Sequence, residues 1–384
     1  MIPAQAEHLY VVVDKIKSKE EENRAQNLIR SIQHNNLHYI SSTETPSIFQ
    51  QETVEKYLRT GQKREESSII LTTFDWNDPL NSPHKEKKYL PWEAGRFTFA
   101  DWRDKDQLLR MRGVACNSGY EIHTAFGCFH ACTYCHIGNT FTIMVDIERF
   151  IEKLELLMKE IPSQKLYKYD NQTDILTLEP EYNASRKMVE FFSETDRSLM
   201  LYTKSDNVDF LLDLKHKGRT IVCWTMSCAE VAEKYELKTP SLERRIKAAR
   251  KCQEVGYRIR ARFSPIIPVE NWEQKNKEMI EDLFSAVEPE VVSLESLCHL
   301  TKEQHDVLFP GLAFAPAEKI TEYELFPHET RKAMYEFFIQ EIRKQNKKVK
   351  ISLCLETPRM WNELSGLLKG NAKNFYCCCG EKCG

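Results

Sequence analysis

Residues 127–139 of the chain read GCFHACTYCHIGN and hold three closely spaced cysteines, Cys128, Cys132 and Cys135. Their C-x3-C-x2-C spacing puts three thiols on one short loop. A structural zinc site normally takes four protein ligands in paired spacing. Nearby histidines could supply a fourth ligand: His123, His130 and His136. An iron–sulfur cluster held by three thiolates needs no such partner, and its fourth iron stays open. The spacing therefore favours an iron–sulfur cluster over zinc.

Around this loop the sequence alternates between strand-like and helix-like runs. YEIHTAFG (120–127) precedes the cysteines, and the helical pattern IERFIEKLELLMKEI (147–161) follows them. Five further strand-like runs continue the alternation: TDILTLEP (173–180), SLMLYTKS (198–205), TIVCWTMS (220–227), YRIRARFSPI (257–266) and EVVSLESL (290–297). The helix-like runs between them include VDFLLDLKHK (208–217). Repeated strand–helix units require parallel strands with right-handed crossovers. Six units predict an α/β fold with an open or partial (β/α)6 barrel, whose active site lies at the carboxyl ends of the strands.

Two further segments flank the predicted barrel at residues 106–300. Residues 1–105 predict an N-terminal α/β unit with the strands HLYVVVD and SSIILTTF, and a polar, proline-containing boundary lies at 77–97. Residues 301–384 predict a C-terminal extension with one long helix, the strand VKISLCLE, a further helix and a cysteine-rich tail.

Composition narrows the classes of function. The 384 residues carry a net charge of −3 and a pI near 6.4, so the chain as a whole does not attract nucleic-acid phosphates. No apolar run is long enough to span a membrane, and the N-terminus lacks the pattern of a signal peptide. Thirteen cysteines without a secretion signal argue for free thiols or metal ligands rather than disulfides. We therefore expect a cytoplasmic protein.

The cysteine loop resembles that of the radical S-adenosylmethionine (SAM) superfamily, with an aromatic residue, Tyr134, before the third cysteine. The resemblance implies a [4Fe–4S] cluster on Cys128, Cys132 and Cys135, with SAM on the open iron. One electron then breaks a carbon–sulfur bond of SAM and produces a carbon radical. A reductant such as flavodoxin or ferredoxin would supply the electron.

Longer segments are similar to the spore photoproduct lyase branch of that superfamily. These segments are YTKSDNVDFLLDLKHKGRT (202–220), SCAEVAEKYELKTPSLERRIKAARKCQEVGY (227–257) and SPIIPVENW (264–272). The resemblance implies that Thr173 and Asp174 meet the SAM amino group, while Lys204 and Ser227 meet its carboxylate. From the residues alone, Thr173 and Asp174 could equally cap a loop, and Lys204 could be a surface charge. Tyr134 and Arg262 complete the predicted cofactor-binding set.

Two positions depart from the lyase pattern. Asn171 stands where those lyases carry a hydrogen-donating cysteine, and His136 stands where they carry a tyrosine. An amide cannot donate a hydrogen atom as a thiol does, so we expect altered substrate chemistry. Repair or modification of a DNA or RNA lesion through a 5′-deoxyadenosyl radical is the second hypothesis.

Three arginines alternate along one predicted strand and so share one face: Arg258, Arg260 and Arg262. Strands of a covered parallel sheet are normally apolar. These arginines could therefore pair with acids such as Glu295, or bind an anionic substrate or the SAM carboxylate.

The tail YCCCGEKCG (376–384) contains four cysteines: Cys377, Cys378, Cys379 and Cys383. Four interpretations of these cysteines are open. They could hold a second cluster, form a zinc or redox site, lie as incidental thiols in an unstructured tail, or bind trivalent arsenic as thiolates. The pattern Cys378-Cys379-x3-Cys383 is similar to the tail of radical SAM enzymes of arsinothricin biosynthesis, which transfer the 3-amino-3-carboxypropyl group of SAM to arsenite. We therefore predict a small or soft-element substrate, arsenite, rather than DNA. A non-enzymatic zinc-binding module is the third hypothesis.

Overall fold

A computed structural model describes residues 4–48, 68–77, 98–135, 137, 140–298, 300–310, 312, 318–320 and 323–380. A five-stranded sheet contains the N-terminal strands in the order β2-β1-β3-β7-β6. Its pairs are parallel except for the antiparallel β6–β7 hairpin, which flanks the cysteine loop. The strands are β1 (Gln5–Val12), β2 (Gln33–Ile40), β3 (Ser68–Thr72), β6 (Ala125–Phe126) and β7 (Thr140–Met144).

Helix α1 (Lys19–Ser31) fastens this sheet to the rest of the chain. It begins with a capping box in which the Ser18 side chain and the Glu21 side chain satisfy each other's backbone N–H groups. Buried Arg24 then pairs with Glu148 of α3 (Ile147–Glu160) at 2.8 Å and also donates to the carbonyl of Tyr182. The helix that follows the cysteine loop is thereby fixed to the N-terminal unit.

The larger sheet has eight strands in the order β15-β12-β11-β10-β9-β8-β5-β4. All neighbouring pairs are parallel except β4–β5. The first and last strands, β15 and β4, do not pair, so the sheet stays open. The strands are β4 (Ala100–Arg103), β5 (Gly119–Ile122), β8 (Leu166–Tyr169), β9 (Ser198–Thr203), β10 (Thr220–Met226), β11 (Arg258–Ile266), β12 (Val291–Ser296) and β15 (Lys350–Leu353).

Helices lie between and after the strands of this sheet. They are α2 (Lys105–Arg112), α4 (Ala184–Ser193), α5 (Ala229–Tyr235), α6 (Leu242–Glu254), α7 (Trp272–Ala286), α8 (Lys302–Leu308), α9 (His328–Gln345), α10 (Pro358–Glu363) and α11 (Ser365–Leu368). A short antiparallel pair, β13 (Glu318–Ile320) and β14 (Tyr323–Leu325), precedes α9. Within the described ranges, no helix is long and apolar enough to cross a membrane.

The two faces of β9 show what fills the inside of the sheet. Leu199 and Leu201 point outward and pack in the core shared with the helices. Met200 and Tyr202 point to the other face and pack against the C-terminal cysteines. The tail therefore occupies the concave interior, where a closed barrel would pack side chains from several strands.

The predicted α/β class and open parallel sheet are confirmed, with β15 as a seventh parallel strand. Two local predictions are wrong. TDILTLEP forms a 3-10 turn over Ile175–Leu178, and the second barrel strand is Leu166–Tyr169, because a short apolar run does not by itself distinguish strand from helix. VDFLLDLKHK gives one 3-10 turn, Asp209–Leu211, rather than a helix.

Two sheet memberships bear on the predicted organisation of the chain. The C-terminal strand β15 pairs with β12, so the segment after residue 300 shares the sheet of residues 106–300. Strands β6 and β7, although they follow residue 105, belong to the N-terminal sheet. The boundaries at 105 and 300 stay predictions, and most of the polar boundary at 77–97 lies outside the described residues.

Candidate functional site

The cysteine loop leaves β6 through Gly127, whose φ of 100° lies in the region that favours glycine. The loop is fastened to the segment that follows α5. The N–H of Thr133 donates to the carbonyl of Tyr235 at 2.8 Å, and the N–H of Lys238 donates to the carbonyl of His130 at 3.0 Å. Cys132 forms an isolated antiparallel bridge with Glu236. Backbone contacts thus define the path of the loop on both sides of Cys132.

The three loop thiols fit an iron–sulfur cluster better than zinc. None of Cys128, Cys132 and Cys135 forms a disulfide, and Cys132 is buried while the other two are half-buried. Across the described residues, no group of three ligand atoms within 4.8 Å of one another includes them. Tetrahedral zinc would hold its thiolates only ~3.8 Å apart. A cube spreads its thiolates over separate corners, so this looser arrangement suits it.

Asp174 is buried, and its carboxylate is a hub at which several groups of the protein already meet. Its carboxylate lies 2.7 Å from Nε2 of His130 and accepts the Thr203 hydroxyl at 2.9 Å and the N–H of Lys204 at 2.7 Å. Burial alone would raise the pKa of Asp174, but the charge and hydrogen bond of His130 and the further donors lower it. Asp174 therefore links the cysteine loop to the end of β9.

Thr173, next to that hub, carries a buried hydroxyl with no protein partner. A buried polar atom without a partner is costly, and a bound ligand is one way to satisfy it. Of the two residues predicted for the SAM amino group, Thr173 is the one whose side-chain oxygen remains available. This observation supports a ligand at the carboxyl ends of β8 and β9.

Replacing Thr173 with valine is expected to weaken SAM binding about tenfold, as the loss of one hydrogen bond to a charged group implies. The unfolding free energy should stay nearly unchanged, because the hydroxyl has no protein partner. Calorimetric titration of the anaerobically reconstituted protein with SAM measures the affinity. Thr177→Val is the matched control, since its hydroxyl donates to the carbonyl of Asp174 at 2.6 Å. That variant should lose stability and keep its SAM affinity; an unaltered affinity in Thr173→Val would contradict the assignment.

Three other predicted cofactor residues converge on one carboxylate that the sequence reasoning missed. Tyr134 donates to Oε1 of Glu236 at 2.5 Å, Ser227 donates to it at 2.9 Å, and the Lys204 ammonium lies 3.6 Å away. The other oxygen, Oε2, pairs with buried Arg245. Burial opposes ionisation of Glu236, yet Lys204 and Arg245 outweigh it and lower its pKa to about 2.

The donors around Glu236 suit a carboxylate. A cation and two hydroxyls are the groups expected around the SAM carboxylate. Glu236 itself stands in a charged, helix-like stretch of sequence, and nothing there marks it as buried. Glu236 meets its partners only because the fold brings the cysteine loop, β9 and β10 together.

The tail cysteines lie inside the sheet. Cys377, Cys378 and Cys379 are buried, while Cys383 lies outside the described residues. The Sγ atoms of Cys378 and Cys379 are 3.6 Å apart, and the Tyr202 hydroxyl oxygen is 3.2 Å from the Sγ of Cys379. The described part of the tail is therefore a packed element, with sulfurs placed against β9.

Arg260 holds the tail through its backbone. Its Nη1 donates to the carbonyls of Cys378 at 2.5 Å and Gly380 at 2.9 Å, while Nε pairs with Glu290 at 2.5 Å. Arg258 pairs with the same carboxylate at 2.9 Å. Arg258 and Arg260 thus share Glu290 as their ion-pair partner, and Arg260 also docks the tail.

Arg262 is engaged in the barrel interior. It pairs with Glu295, its guanidinium lies 5.2 Å from the Tyr202 ring centroid, and its Nη2 is 3.6 Å from the Sγ of Cys354. The ion pair with Glu295 is the simpler of the two roles that the sequence allowed. The assignment of Arg262 to SAM stays a prediction.

Two cysteines that the sequence left unassigned join the tail thiols. The Cys354 thiol hydrogen-bonds to the Cys378 sulfur, and Cys377 hydrogen-bonds to Cys116, which lowers the pKa of Cys116 to about 6. Each is a lone cysteine in the sequence, so no spacing signals the contact.

Asn171, at the position of the missing hydrogen donor, donates to Glu121 at 3.1 Å. His136 lies outside the described residues.

Comparison with known proteins identifies the family. The sequence profile of the spore photoproduct lyase family matches residues 107–308, more than half of the chain. The chain belongs to the spore photoproduct lyase family. The resemblance to the spore photoproduct lyase branch is confirmed. The family is one of radical SAM enzymes, and its cofactors are the predicted [4Fe–4S] cluster and SAM.

Curated relatives in the spore photoproduct lyase family are distant. The Bacillus subtilis (strain 168) lyase is 27% identical over 227 residues, which cover 56% of this chain and 63% of that protein. The Clostridium acetobutylicum lyase is 22% identical over 247 residues, covering 59% and 74%. The chain thus matches less than two thirds of the length of the Bacillus protein.

Solved structures of spore photoproduct lyase share the fold. A mutant with bound AdoMet and dinucleoside spore photoproduct superposes with a TM-score of 0.65 at 17% identity, covering 92% of this chain and 99% of that one. A further mutant gives a TM-score of 0.65 at 16% identity. The similarity extends over almost the whole lyase chain, so the N-terminal sheet and the C-terminal strand belong to the shared architecture.

Proposed function

We propose that the protein is a cytoplasmic radical SAM enzyme that transfers the 3-amino-3-carboxypropyl group of SAM to arsenite held by tail thiolates. Cys128, Cys132 and Cys135 would hold the [4Fe–4S] cluster. Lys204, Ser227 and Tyr134 would face the SAM carboxylate, and Thr173 its amino group. A flavodoxin or ferredoxin would supply the electron. Cytoplasmic conditions keep the many free thiols reduced.

One observation carries this proposal: the tail thiols are packed inside the sheet against β9, the strand that ends next to Lys204. Tyr202 contacts Cys379 from within the sheet, and two residues later on the chain Lys204 reaches Glu236 at the strand's carboxyl end. A thiophilic substrate on Cys378 and Cys379 would therefore lie under the cofactor site. Vicinal thiolates 3.6 Å apart are suitable ligands for a soft ion.

The cluster, when bound, supplies the electron that breaks a carbon–sulfur bond of SAM. The protein's contribution is to orient the amino and carboxylate groups through Thr173 and Lys204 and to exclude water from the interior. In the transfer, the carbon–sulfur bond breaks, a carbon–arsenic bond forms and methylthioadenosine leaves. One electron of the arsenic(III) lone pair would join the electron of the carbon radical in the new bond. The other would replace the electron that was supplied at the start, so arsenic ends as arsenic(V) and no net reductant is consumed.

Lesion chemistry on nucleic acid is the second candidate, and family membership favours it. The solved lyases include complexes with a dinucleoside spore photoproduct. Two features of this chain weigh against the same substrate. The tail fills the interior face of β9, and Asn171 replaces the hydrogen-donating thiol implied by the resemblance.

Product analysis separates these functions. The protein is reconstituted anaerobically, reduced with dithionite in the presence of SAM, and its products are analysed by mass spectrometry with and without arsenite. We expect methylthioadenosine and an arsenic-containing amino acid only when arsenite is present. 5′-Deoxyadenosine as the sole SAM product, regardless of arsenite, would overturn the arsenic proposal and support lesion chemistry. Bound zinc without iron, and no SAM binding, would instead support the zinc module.

A further inference from the structure

The tail cysteines have different sets of partners inside the sheet. Cys377 hydrogen-bonds to Cys116 as well as to its neighbours Cys378 and Cys379, whereas Cys378 also hydrogen-bonds to Cys354 on the sheet. The Cys377 sulfur also lies 3.4 Å from the N–H of Cys379, which donates to it. Cys377 is thus part of the turn that shapes the tail. The neighbouring pair, Cys378 and Cys379, has its sulfurs together at 3.6 Å.

Cys354 approaches that pair from the sheet. It directly follows β15, and its N–H donates to the carbonyl of Leu294 at 2.8 Å, so its backbone is fixed by the neighbouring strand β12. Its thiol hydrogen-bonds to the Cys378 sulfur and lies 3.6 Å from the Arg262 guanidinium. A site that uses Cys354 would be built partly on a rigid element, which is the more precise way to hold a ligand.

We propose that Cys354 supplies the third thiolate for arsenite, together with Cys378 and Cys379. The inference rests on the proposed function and assigns a strand residue, rather than Cys383, to the substrate site. With metal–sulfur bonds of ~2.3 Å, three thiolates on one ion lie roughly 3.5–3.8 Å apart. The Cys378–Cys379 pair already has this separation, and the Cys354 thiol hydrogen-bonds to one of its members.

Binding requires a small rearrangement and a simple exchange. Among the described residues, no three cysteine sulfurs lie within 4.8 Å of one another, so a side-chain rotation must bring the third thiolate onto the ion. Arsenous acid then exchanges its three hydroxyl groups for three thiols and releases three water molecules, with no change in oxidation state. The buried interior protects the resulting bonds from hydrolysis.

X-ray absorption at the arsenic edge counts the sulfur ligands directly. The experiment uses the full chain with its [4Fe–4S] cluster loaded, so that the loop cysteines are occupied, and adds one equivalent of arsenite under reducing conditions. We expect three sulfur neighbours in the wild type and in Cys383→Ser. Cys354→Ser should show two, with an arsenite affinity lower by about tenfold or more. Cys252→Ala, altered in the outer core between α6 and the sheet, is the control and should match the wild type.

The outcomes distinguish failure of the Cys354 assignment from failure of the proposed function. Three sulfur neighbours in Cys354→Ser, or only two in Cys383→Ser, would overturn the assignment of Cys354 and leave the proposed function standing. Failure of the wild type to bind arsenite would overturn both. Cys354→Ala provides a second variant if the serine form does not load its cluster, and SAM affinity confirms that either variant is folded.

Discussion

Serine in place of Cys378, Cys379 and Cys383 should abolish arsenic-dependent turnover, by a factor of about 10³ or more, which corresponds to ~4 kcal/mol of lost transition-state stabilisation. A serine hydroxyl cannot hold a thiophilic ion at neutral pH, so no substrate would be positioned beneath SAM. SAM binding should remain, because Thr173, Lys204 and Ser227 lie outside the tail. Product yield by mass spectrometry and SAM affinity by calorimetry are the two measurements.

Two comparisons make the tail result specific. Cys252→Ala controls for the loss of a buried thiol elsewhere, and it should retain full turnover. Arg260→Met should loosen the tail without removing a thiol, because it removes the donor to the carbonyls of Cys378 and Gly380. Full turnover in the triple serine variant would exclude the tail from the reaction and return attention to nucleic-acid substrates.

Glu236→Gln is expected to lower the unfolding free energy by about 3–5 kcal/mol, the usual result of leaving one partner of a buried ion pair uncompensated. Arg245 is fully buried and would lose its charged partner, and Lys204 would lose the carboxylate that lies 3.6 Å from its ammonium. Denaturant unfolding of the cluster-free protein under reducing conditions gives the value. The control is Glu233→Gln, an exposed position on α5, which should change stability by no more than ~0.5 kcal/mol.

The difference in unfolding free energy between the wild type and Glu236→Gln should depend on pH. The carboxyl pKa is about 2 in the folded protein against an ordinary value of 4.5, so its contribution exists above pH ~4.5 and is lost as the pH falls toward ~2. The stability gap between wild type and variant should narrow over that range. A double variant, Glu236→Gln with Arg245→Met, should regain part of the loss; a deeper loss would argue that Arg245 acts through its other contacts.

The local parts of the site could be predicted from sequence. Cys128, Cys132 and Cys135 are close on the chain, so their spacing reports their geometry without knowledge of the fold. The alternation of strand-like and helix-like runs predicts the parallel sheet, because the hydrophobic period of each run is visible within the run itself. TDILTLEP contains a 3-10 turn where the sequence predicts a strand, because a short apolar run is compatible with either geometry and the following Glu179 and Pro180 do not decide between them.

Contacts between distant segments could not be predicted. Glu236 gathers Tyr134, Lys204 and Ser227 only because the loop, β9 and β10 end at one edge of the sheet. Cys354 meets Cys378 only because β15 joins β12 and the tail turns back into the interior. Neither contact has a local pattern, and a single sequence contains no signal of pairing over such separations.

The attachment of the cysteine loop to Tyr235–Lys238 has a thermodynamic consequence. One short segment fastens the loop through backbone bonds and, through Glu236, holds the side chains predicted for the SAM carboxylate. The binding of two ligands that depend on one shared segment is coupled in both directions: whatever order the first ligand imposes on the segment lowers the entropy that the second must lose. Cluster occupancy and SAM affinity should therefore rise and fall together, and an apparent cofactor affinity has meaning only at a stated iron content.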